Sequence, residues 1–223
     1  VPKVPDLSQP LRRVGLLGDI HAEDGAVEVA LRHLEGACVD AVLAVGDIMD
    51  GPGDASRCCR LLLEAGAVTV RGNHDRWMLT NTMRDLPDAT HPLEVDATAF
   101  NFIAGLPVTR PLATVAGQAL LCHGLLDDDM GRVLPGDDGY DHKVNPRLRA
   151  ILQGGTYAFL LNGHTHERLL RTVDGLTVVN AGTLTASRGQ QPGFLVLDFV
   201  ERAAQWVELT PGLELVPQPL CRF

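Results

Sequence analysis

The feature that most constrains this chain is a strand ending that recurs. Val14-Gly15-Leu16-Leu17 is a short apolar run that stops at Gly18-Asp19, and Ala41-Val42-Leu43-Ala44-Val45 stops at Gly46-Asp47. Val68-Thr69-Val70 leads to Gly72-Asn73, Ala119-Leu120-Leu121-Cys122 to His123-Gly124, and Ala158-Phe159-Leu160-Leu161 to Asn162-Gly163-His164. Apolar runs this short, bounded by turn residues, read as buried strands. Each finishes beside a glycine and a side chain able to hold a metal or a proton. In open α/β folds the ligand site lies at the carboxyl ends of the strands. The five endings should therefore meet in space.

Helical signals separate the first three runs. Val27, Ala30, Leu31 and Leu34 fall at i, i+3, i+4 and i+7, one apolar stripe of a helix. Asp54 is placed to cap a second helix with Cys58, Leu61, Leu62 and Ala65 on one face. Strand, helix, strand, helix, strand is the grammar of right-handed βαβ units and a parallel sheet. After His166 the pattern turns to hairpins. Leu169 to Val173, Leu176 to Val179, Gly193 to Phe199 and Gln205 to Leu209 are short runs parted by turns such as Asp174-Gly175. They read as a second sheet packed on the first. Residues 76–118 read as mostly helical, with Phe100, Ile103 and Ala104 as the apolar face. Residues 211–223, with Pro211, Pro217 and Pro219, read as an irregular strap. The expectation is a single domain over 1–223, an α/β sandwich of four layers, α-β-β-α, with two mixed sheets.

Length and composition narrow the function classes. The 223 residues are 45% hydrophobic and 21% charged, values of a globular chain of one domain size. The formal charge is −9, from 28 acidic and 19 basic side chains, and aromatics are only 4%. A basic face for a phosphate backbone and a stacking platform for bases are both scarce. Tight, extended nucleic-acid binding is disfavoured, whereas a small phosphorylated substrate is not. No apolar run approaches the roughly 18 residues of a membrane span. The opening Val1-Pro2-Lys3-Val4-Pro5 lacks the apolar core of a leader, although the absence of Met leaves a trimmed start open. Five cysteines without a C-x-x-C pair indicate neither a disulfide framework nor a thiolate zinc site. The compartment expected is the reducing cytoplasm. Assembly as a homo-oligomer is left open.

The polar endings carry the chemistry. In order they are Gly18-Asp19-Ile20-His21, Gly46-Asp47-Ile48-Met49-Asp50-Gly51, Gly72-Asn73-His74-Asp75, Cys122-His123-Gly124 and Gly163-His164-Thr165-His166. Asp and His at i and i+2 can face one ion if the backbone just past a strand is extended. Carboxylate, imidazole and amide oxygen without thiolate suit manganese, iron or zinc. Asp19, His21, Asp47, Asn73, His123, His164 and His166 are too many donors for one ion. They serve two divalent ions if one carboxylate bridges.

These five ordered blocks resemble the calcineurin-like metallophosphoesterase superfamily, whose pattern is D-x-H, G-D-x-x-D, G-N-H-D/E, H and G-H-x-H. The resemblance covers residues 14 to about 200. Asn180-Ala181-Gly182-Thr183 is similar to an N-P-G-S stretch that follows the last block in the family, with Ala in place of Pro. The resemblance implies that Asp19, His21, Asp47 and His166 hold a first metal, and that Asp47, Asn73, His123 and His164 hold a second. Asp47 is then the bridge. It further implies a dinuclear site at the strand carboxyl ends and hydrolysis of a phosphoester by a hydroxide held between the ions. Manganese is foremost, with iron, zinc or nickel as alternatives. By the same resemblance His74 contacts the phosphoryl group or protonates the leaving oxygen, and Asp50 orients it. A carboxylate on an imidazole favours its proton-donating form. The substrate implied is a small nucleotide or similar metabolite. A serine/threonine-type protein phosphatase and a non-catalytic scaffold of the same fold are the alternatives.

One departure bears on substrate. Protein phosphatases and bacterial diadenosine tetraphosphate hydrolases carry Arg directly after the second Asp of G-D-x-x-D, where this chain has Gly51. The loss of a bidentate phosphate clamp counts against protein phosphatase activity. Outside the blocks, His33, His91 and His142 read as surface or helix residues, and Cys58-Cys59 as helix core. Asp127-Asp128-Asp129 and Asp137-Asp138 read as a solvated loop. Arg76 is open between a phosphate contact and a salt bridge.

Overall fold

The structure is a computed structural model that describes residues 5–186 and 191–223; the opening Val1-Pro2-Lys3-Val4 lies outside them. The amino-terminal βαβαβ unit forms as the sequence demands. It comprises β1 (Arg13–Leu17), α1 (Asp24–Gly36), β2 (Ala41–Ala44), α2 (Ala55–Ala65) and β3 (Val68–Thr69). The three strands lie parallel in the order β1-β2-β3. Asp54 caps α2 by accepting from the backbone N–H of Arg57 at 2.8 Å, which satisfies one of the orphan donors of the first turn.

The next elements are α3 (Asn73–Thr80), α4 (Ala97–Gly105), β4 (Thr109–Thr114), β5 (Gly117–Cys122), α5 (Gly139–Val144), α6 (Pro146–Gly154) and β6 (Phe159–Asn162). Then come β7 (Leu169–Val173), β8 (Leu176–Asn180), β9 (Gly193–Asp198), β10 (Ala203–Leu209), β11 (Leu215–Pro217) and β12 (Cys221–Arg222). One sheet has the order β11-β10-β9-β1-β2-β3, with β12 also on β10; the other is β4-β5-β6-β8-β7. Both are mixed. In the second sheet β5, β6 and β8 run parallel, and β4 and β7 flank them antiparallel.

The strand period of two divides each run between two cores. Val14 and Leu16 of β1 join Leu43, Leu121, Phe159, Leu161, Val179 and Leu195 between the sheets. Leu17, Ala44, Phe194 and Val196 face outward onto Val27, Ala30 and Leu34 of α1, Cys58 and Leu62 of α2, and Ile103 of α4. Leu120, Cys122, Leu160 and Val178 face Leu148 and Ile151 of α6. The result is the four-layer α-β-β-α sandwich. Each fully buried Leu, Val or Phe contributes about 1.5–3 kcal/mol, so two sheet faces per strand, rather than helix propensity, hold the fold. Among the described residues no helix is long and apolar enough to cross a membrane.

Three local expectations differ. Residues 76–118 are helical only over the rest of α3 and over α4, and they end in β4 and the start of β5. On α4 it is Ala99 and Ile103 that are buried, against the core shared with α2, while Phe100 and Ala104 face out; the helix opens at Ala97 behind its Asp96 cap. The hairpins after His166 do not form one separate sheet. β7 and β8 complete the second sheet, but β9 crosses back to pair antiparallel with β1. The strap at 211–223 is partly regular, since Leu215–Pro217 and Cys221–Arg222 pair with β10. Pro217 stands on the outer strand β11, where a missing N–H is tolerated.

Candidate metal centre

The strand endings converge in a cleft shared by both sheets rather than by the first alone. Asp19 follows β1, Asp47 follows β2, Asn73 opens α3 after β3, His123 follows β5, and His164 and His166 follow β6. Asp19, His21, Asp47, Asn73 and His123 are at most 2% exposed, while His164 and His166 are partly exposed at the rim. Asp19, His21, Asp47 and His166 each bring one donor atom to within 4.8 Å of the others. A second group lies on the other side of Asp47. His123 Nε2 stands 3.3 Å from Asp47 Oδ2 and 2.9 Å from Asn73 Oδ1, and His164 Nδ1 is 3.0 Å from the same amide oxygen. Asp47 therefore belongs to both groups.

Four of the seven donors, and Asp50 beside them, stand on backbone that is not extended, contrary to the sequence reading. His21, Asp47, Asp50, His164 and His166 have φ of 48°, 48°, 65°, 69° and 59°, a left-handed conformation disfavoured for residues with a Cβ. Such strain persists only where the surroundings over-determine it, and here the surroundings are backbone hydrogen bonds. Asp47 O accepts from Ile20 N at 3.0 Å and His21 N at 2.8 Å, and Ala22 N donates to Ile48 O at 2.9 Å. Gly72 is packed so closely that a Cβ there would stand 2.2 Å from Asp47 Oδ1. The Asn180-Ala181-Gly182-Thr183 block closes the far side. Asn180 Nδ2 donates to Gly163 O at 2.9 Å, and Thr183 Oγ1 donates to Asp19 O at 2.8 Å.

The donor set fits divalent cations. His21 directs Nδ1 to the carbonyl of Asp50 at 2.8 Å, and His123 directs Nδ1 to the carbonyl of Val45 at 2.9 Å. A ring N–H committed to a carbonyl leaves a lone pair on Nε2, the arrangement that orients a metal-ligating imidazole. Nε2 of His21 and Nε2 of His166 are only 3.0 Å apart, so the lone pair of His21 faces a second imidazole nitrogen. Asp19 Oδ2 is buried with no hydrogen-bond partner among the described residues, a costly arrangement for a carboxylate. Electrostatics tell the same story. Burial raises Asp19 to about 7, with the charge of Asp47 adding to the effect against the pull of His123. Burial opposes charge on His123 too, but Asp47 and Asp19 outweigh it and hold the imidazole at about 10. Asp47 is driven far below the carboxylate range; burial resists, and His123, His74 and His21 prevail. Burial holds His164 below its ordinary value, and the charges of His123 and Arg132 act with it. A cation offered to these donors displaces a proton that the site otherwise binds tightly.

His74 and Asp50 lie beside this cluster. His74 Nδ1 is 2.7 Å from Asp50 Oδ2, and the ring meets His21 edge-on at 4.8 Å. Two features here escaped the sequence reading. Asp75 is fully buried and accepts from Gly72 N at 2.9 Å, Ile48 N at 2.8 Å and Met49 N at 3.1 Å, which welds the Asp47 loop to the start of α3. Its signal was legible, since an acid three residues after the helix cap is the capping-box spacing. Trp77, whose ring is 4.6 Å from that of His74, is one helical turn from His74 and so shares its face.

The open alternative at Arg76 resolves to a salt bridge: Nε and Nη2 meet Asp129 at 2.6 and 2.9 Å. The acidic loop is thus partly tied down, with Asp127 also paired to Arg147 at 2.8 Å. Cys58 and Cys59 are buried helix core with thiols pushed up by burial. A cavity of about 730 Å³ lined by His142, Lys143, Arg149 and Arg171 contains none of the cluster residues, so concavity alone would misplace the site.

A four-layer α-β-β-α sandwich with a buried Asp/His cluster at the strand ends defines a class, the metal-dependent phosphoester hydrolases. A family model described as the calcineurin-like phosphoesterase superfamily domain matches residues 13–202, and the chain belongs to that superfamily. No curated protein sequence matches the chain. Among solved structures, a conserved Streptococcus pneumoniae protein, described as a predicted phosphoesterase, is 19% identical with a TM-score of 0.57 over 96% of this chain and 98% of that one. The phosphoesterase YfcE of E. coli is 15% identical, with a TM-score of 0.57 over 94% and 98%. Vps29 of Entamoeba histolytica, in complex with zinc, is 19% identical, with a TM-score of 0.57 over 92% and 97%. At these identities the likeness is one of fold.

Proposed function

We propose that this protein hydrolyses a small phosphoester, a nucleotide or similar metabolite, at a centre of two divalent cations held by Asp19, His21, Asp47, Asn73, His123, His164 and His166. The observation that carries the reading is the shared position of Asp47 between two donor groups, with His74 and Asp50 alongside. Two cations bound there supply Lewis-acid activation of water and of phosphoryl oxygens. The rest falls to the chain. Asp19 and Asp47 bring only two negative charges, and the imidazoles bind neutral, so the loaded site keeps a surplus of positive charge for an anionic substrate. His74 has its Nδ1 engaged by Asp50, which leaves Nε2 to hold a proton for the leaving oxygen. Trp77 limits rotation of that ring.

Manganese is the ion we propose first, because the donors are carboxylate, amide and imidazole without thiolate. We read residues 1–223 as one catalytic unit working in the cytoplasm, with the 76–118 segment walling the His74 side. The protein phosphatase alternative is weakened at Gly51, where any Cβ would stand 1.8 Å from the carbonyl oxygen of His21. An arginine has no room there. The second reading, a non-catalytic protein of this fold, draws on the likeness to Vps29; the retention of all seven donors opposes it. The test is a panel of mono-, di- and cyclic phosphoesters assayed with manganese, nickel, zinc and magnesium, alongside metal analysis. Turnover with about two ions per chain supports the proposal. Absence of turnover across the panel, with no ion bound, sinks it.

A further inference from the structure

Position 51 has no room for an arginine, yet an arginine from elsewhere in the chain reaches the carboxylate of its neighbour Asp50. Arg84 lies in the loop between α3 and α4, 34 residues from Asp50 in sequence, and its side chain is only 8% exposed. Its Nη1 donates to Asp50 Oδ1 and its Nη2 to Asp50 Oδ2, both at 2.7 Å. Nε donates to Thr82 O and Nη1 also to Thr90 O, each at 2.7 Å. The same loop adds two bonds through Thr90, whose N–H donates to Asp50 Oδ1 at 2.8 Å and whose Oγ1 accepts from Asp50 N at 3.0 Å.

We propose that Arg84 is a positioning residue for the reaction: it fixes the plane of the Asp50 carboxylate and, through Oδ2, the orientation of the His74 ring. The inference rests on the reading of His74 as proton donor. A carboxylate held at one point turns about its last torsion, which has broad wells. Thr90 N–H and the His74 ring each engage one oxygen of Asp50; the guanidinium fork adds a planar second bond to both and stiffens that torsion, which Lys cannot copy. Arg84 has little left for substrate, because donated bonds already take four of its five N–H groups. The geometry therefore makes it act through Asp50, and it makes the 82–90 loop part of the acid side of the site.

The experiment is a double-mutant cycle between Arg84 and Asp50, using metal-loaded Arg84→Ala, Arg84→Lys, Asp50→Ala and Arg84→Ala/Asp50→Ala, with His74→Asn as reference. Metal content and melting are recorded for each, and kcat and KM are measured on an alkyl ester and a 4-nitrophenyl ester. Arg84→Ala should keep its metals and KM and lose about 10–100-fold in kcat on the alkyl ester, the usual cost of removing an orienting partner. The loss on the nitrophenyl ester should be smaller, and Arg84→Lys should recover only part of it. In the Asp50→Ala background the Arg84 change should cost nothing further. A second readout needs no turnover. The Nδ1–H proton shared with Asp50, identified by its loss in His74→Asn, should be sharp and far downfield in the metal-free wild type, and should broaden or move in Arg84→Lys even if Arg84→Ala folds poorly. Equal losses in both Asp50 backgrounds, a rise in KM at unchanged kcat, or an unchanged Nδ1–H signal would overturn the proposal. If His74→Asn shows no loss that depends on the leaving group, the proton-donor reading fails on its own. The cycle and the proton signal then still report on the clamp.

Discussion

The metal cluster and the His74 side of the cleft are neighbours built from different materials. The cluster is made at strand ends, where His21, Asp47, His164 and His166 stand on left-handed backbone and main-chain hydrogen bonds and the close approach of Gly72 pin the Asp47 loop. Its geometry is a property of two sheets. The His74 side is made of side chains that reach one another across a loop: Trp77 on His74, His74 on Asp50, Asp50 on Arg84 and Thr90. The first arrangement resists change because moving one donor means moving a strand. The second can be altered one hydrogen bond at a time. Binding of metal and transfer of a proton should therefore be separable by mutation.

The hardest blow to the cluster is at its shared member. Asp47→Asn removes the charge common to both donor groups, so it should lose affinity for both ions and nearly all activity. Metal analysis and a phosphoester assay check this, and two ions per chain with near-normal turnover would erase the distinction drawn for Asp47. On the other side, His74→Asn should keep both ions and the fold while the rate falls by about 10²–10⁴, the worth of a positioned general acid. An alkyl ester should suffer more than a nitrophenyl ester, since nitrophenolate leaves without the proton. Equal losses would reassign His74 to stabilising phosphoryl charge.

Acidity sharpens the contrast further. Without metal, the neighbouring Asp47 and Asp19 hold the His123 proton to about 10, against an ordinary 6.5, and burial holds that of Asp19 to about 7, against 3.8. Both bind a proton more tightly folded than unfolded. The stability this gives is full below their ordinary values and is lost as pH rises through 7 and on to 10. Asp47, shifted the other way, supplies stability that is lost only in acid. The melting temperature of the metal-free protein should thus fall from pH 6.5 to 10, while the stabilisation added by metal grows and binding releases protons. A metal-free melting temperature that climbs over this range would contradict the ion pair between His123 and Asp47. The smallest effect belongs to the rim. Asp129→Asn removes the partner of Arg76, a pair in which the guanidinium side chain is 39% exposed, and should cost about 0–1 kcal/mol in a denaturant titration. Metal content should not change.

The chain's own pattern is enough to establish a parallel βαβαβ start, two helices with their buried faces, and the Asp, Asn and His residues placed at the strand ends. These rest on periodicity and on local chemistry that adjacent residues decide: Val14 and Leu16 alternate with Gly15 and Leu17, Asp54 caps its own helix, and a glycine sits beside the first polar residue of each strand ending. The tertiary structure alone decided that β9 crosses back to β1, that His123 and His164 arrive from the second sheet, and that left-handed rather than extended backbone presents His21, Asp47, His164 and His166. It alone also placed Arg84 on Asp50 and Asp129 on Arg76. No periodicity marks an arginine in an irregular loop, because its partner is set by which loops the packed sheets bring together. Pattern encodes what neighbours in sequence must do to be buried, whereas a hydrogen bond across 34 residues exists only once two sheets and their helices have closed around it.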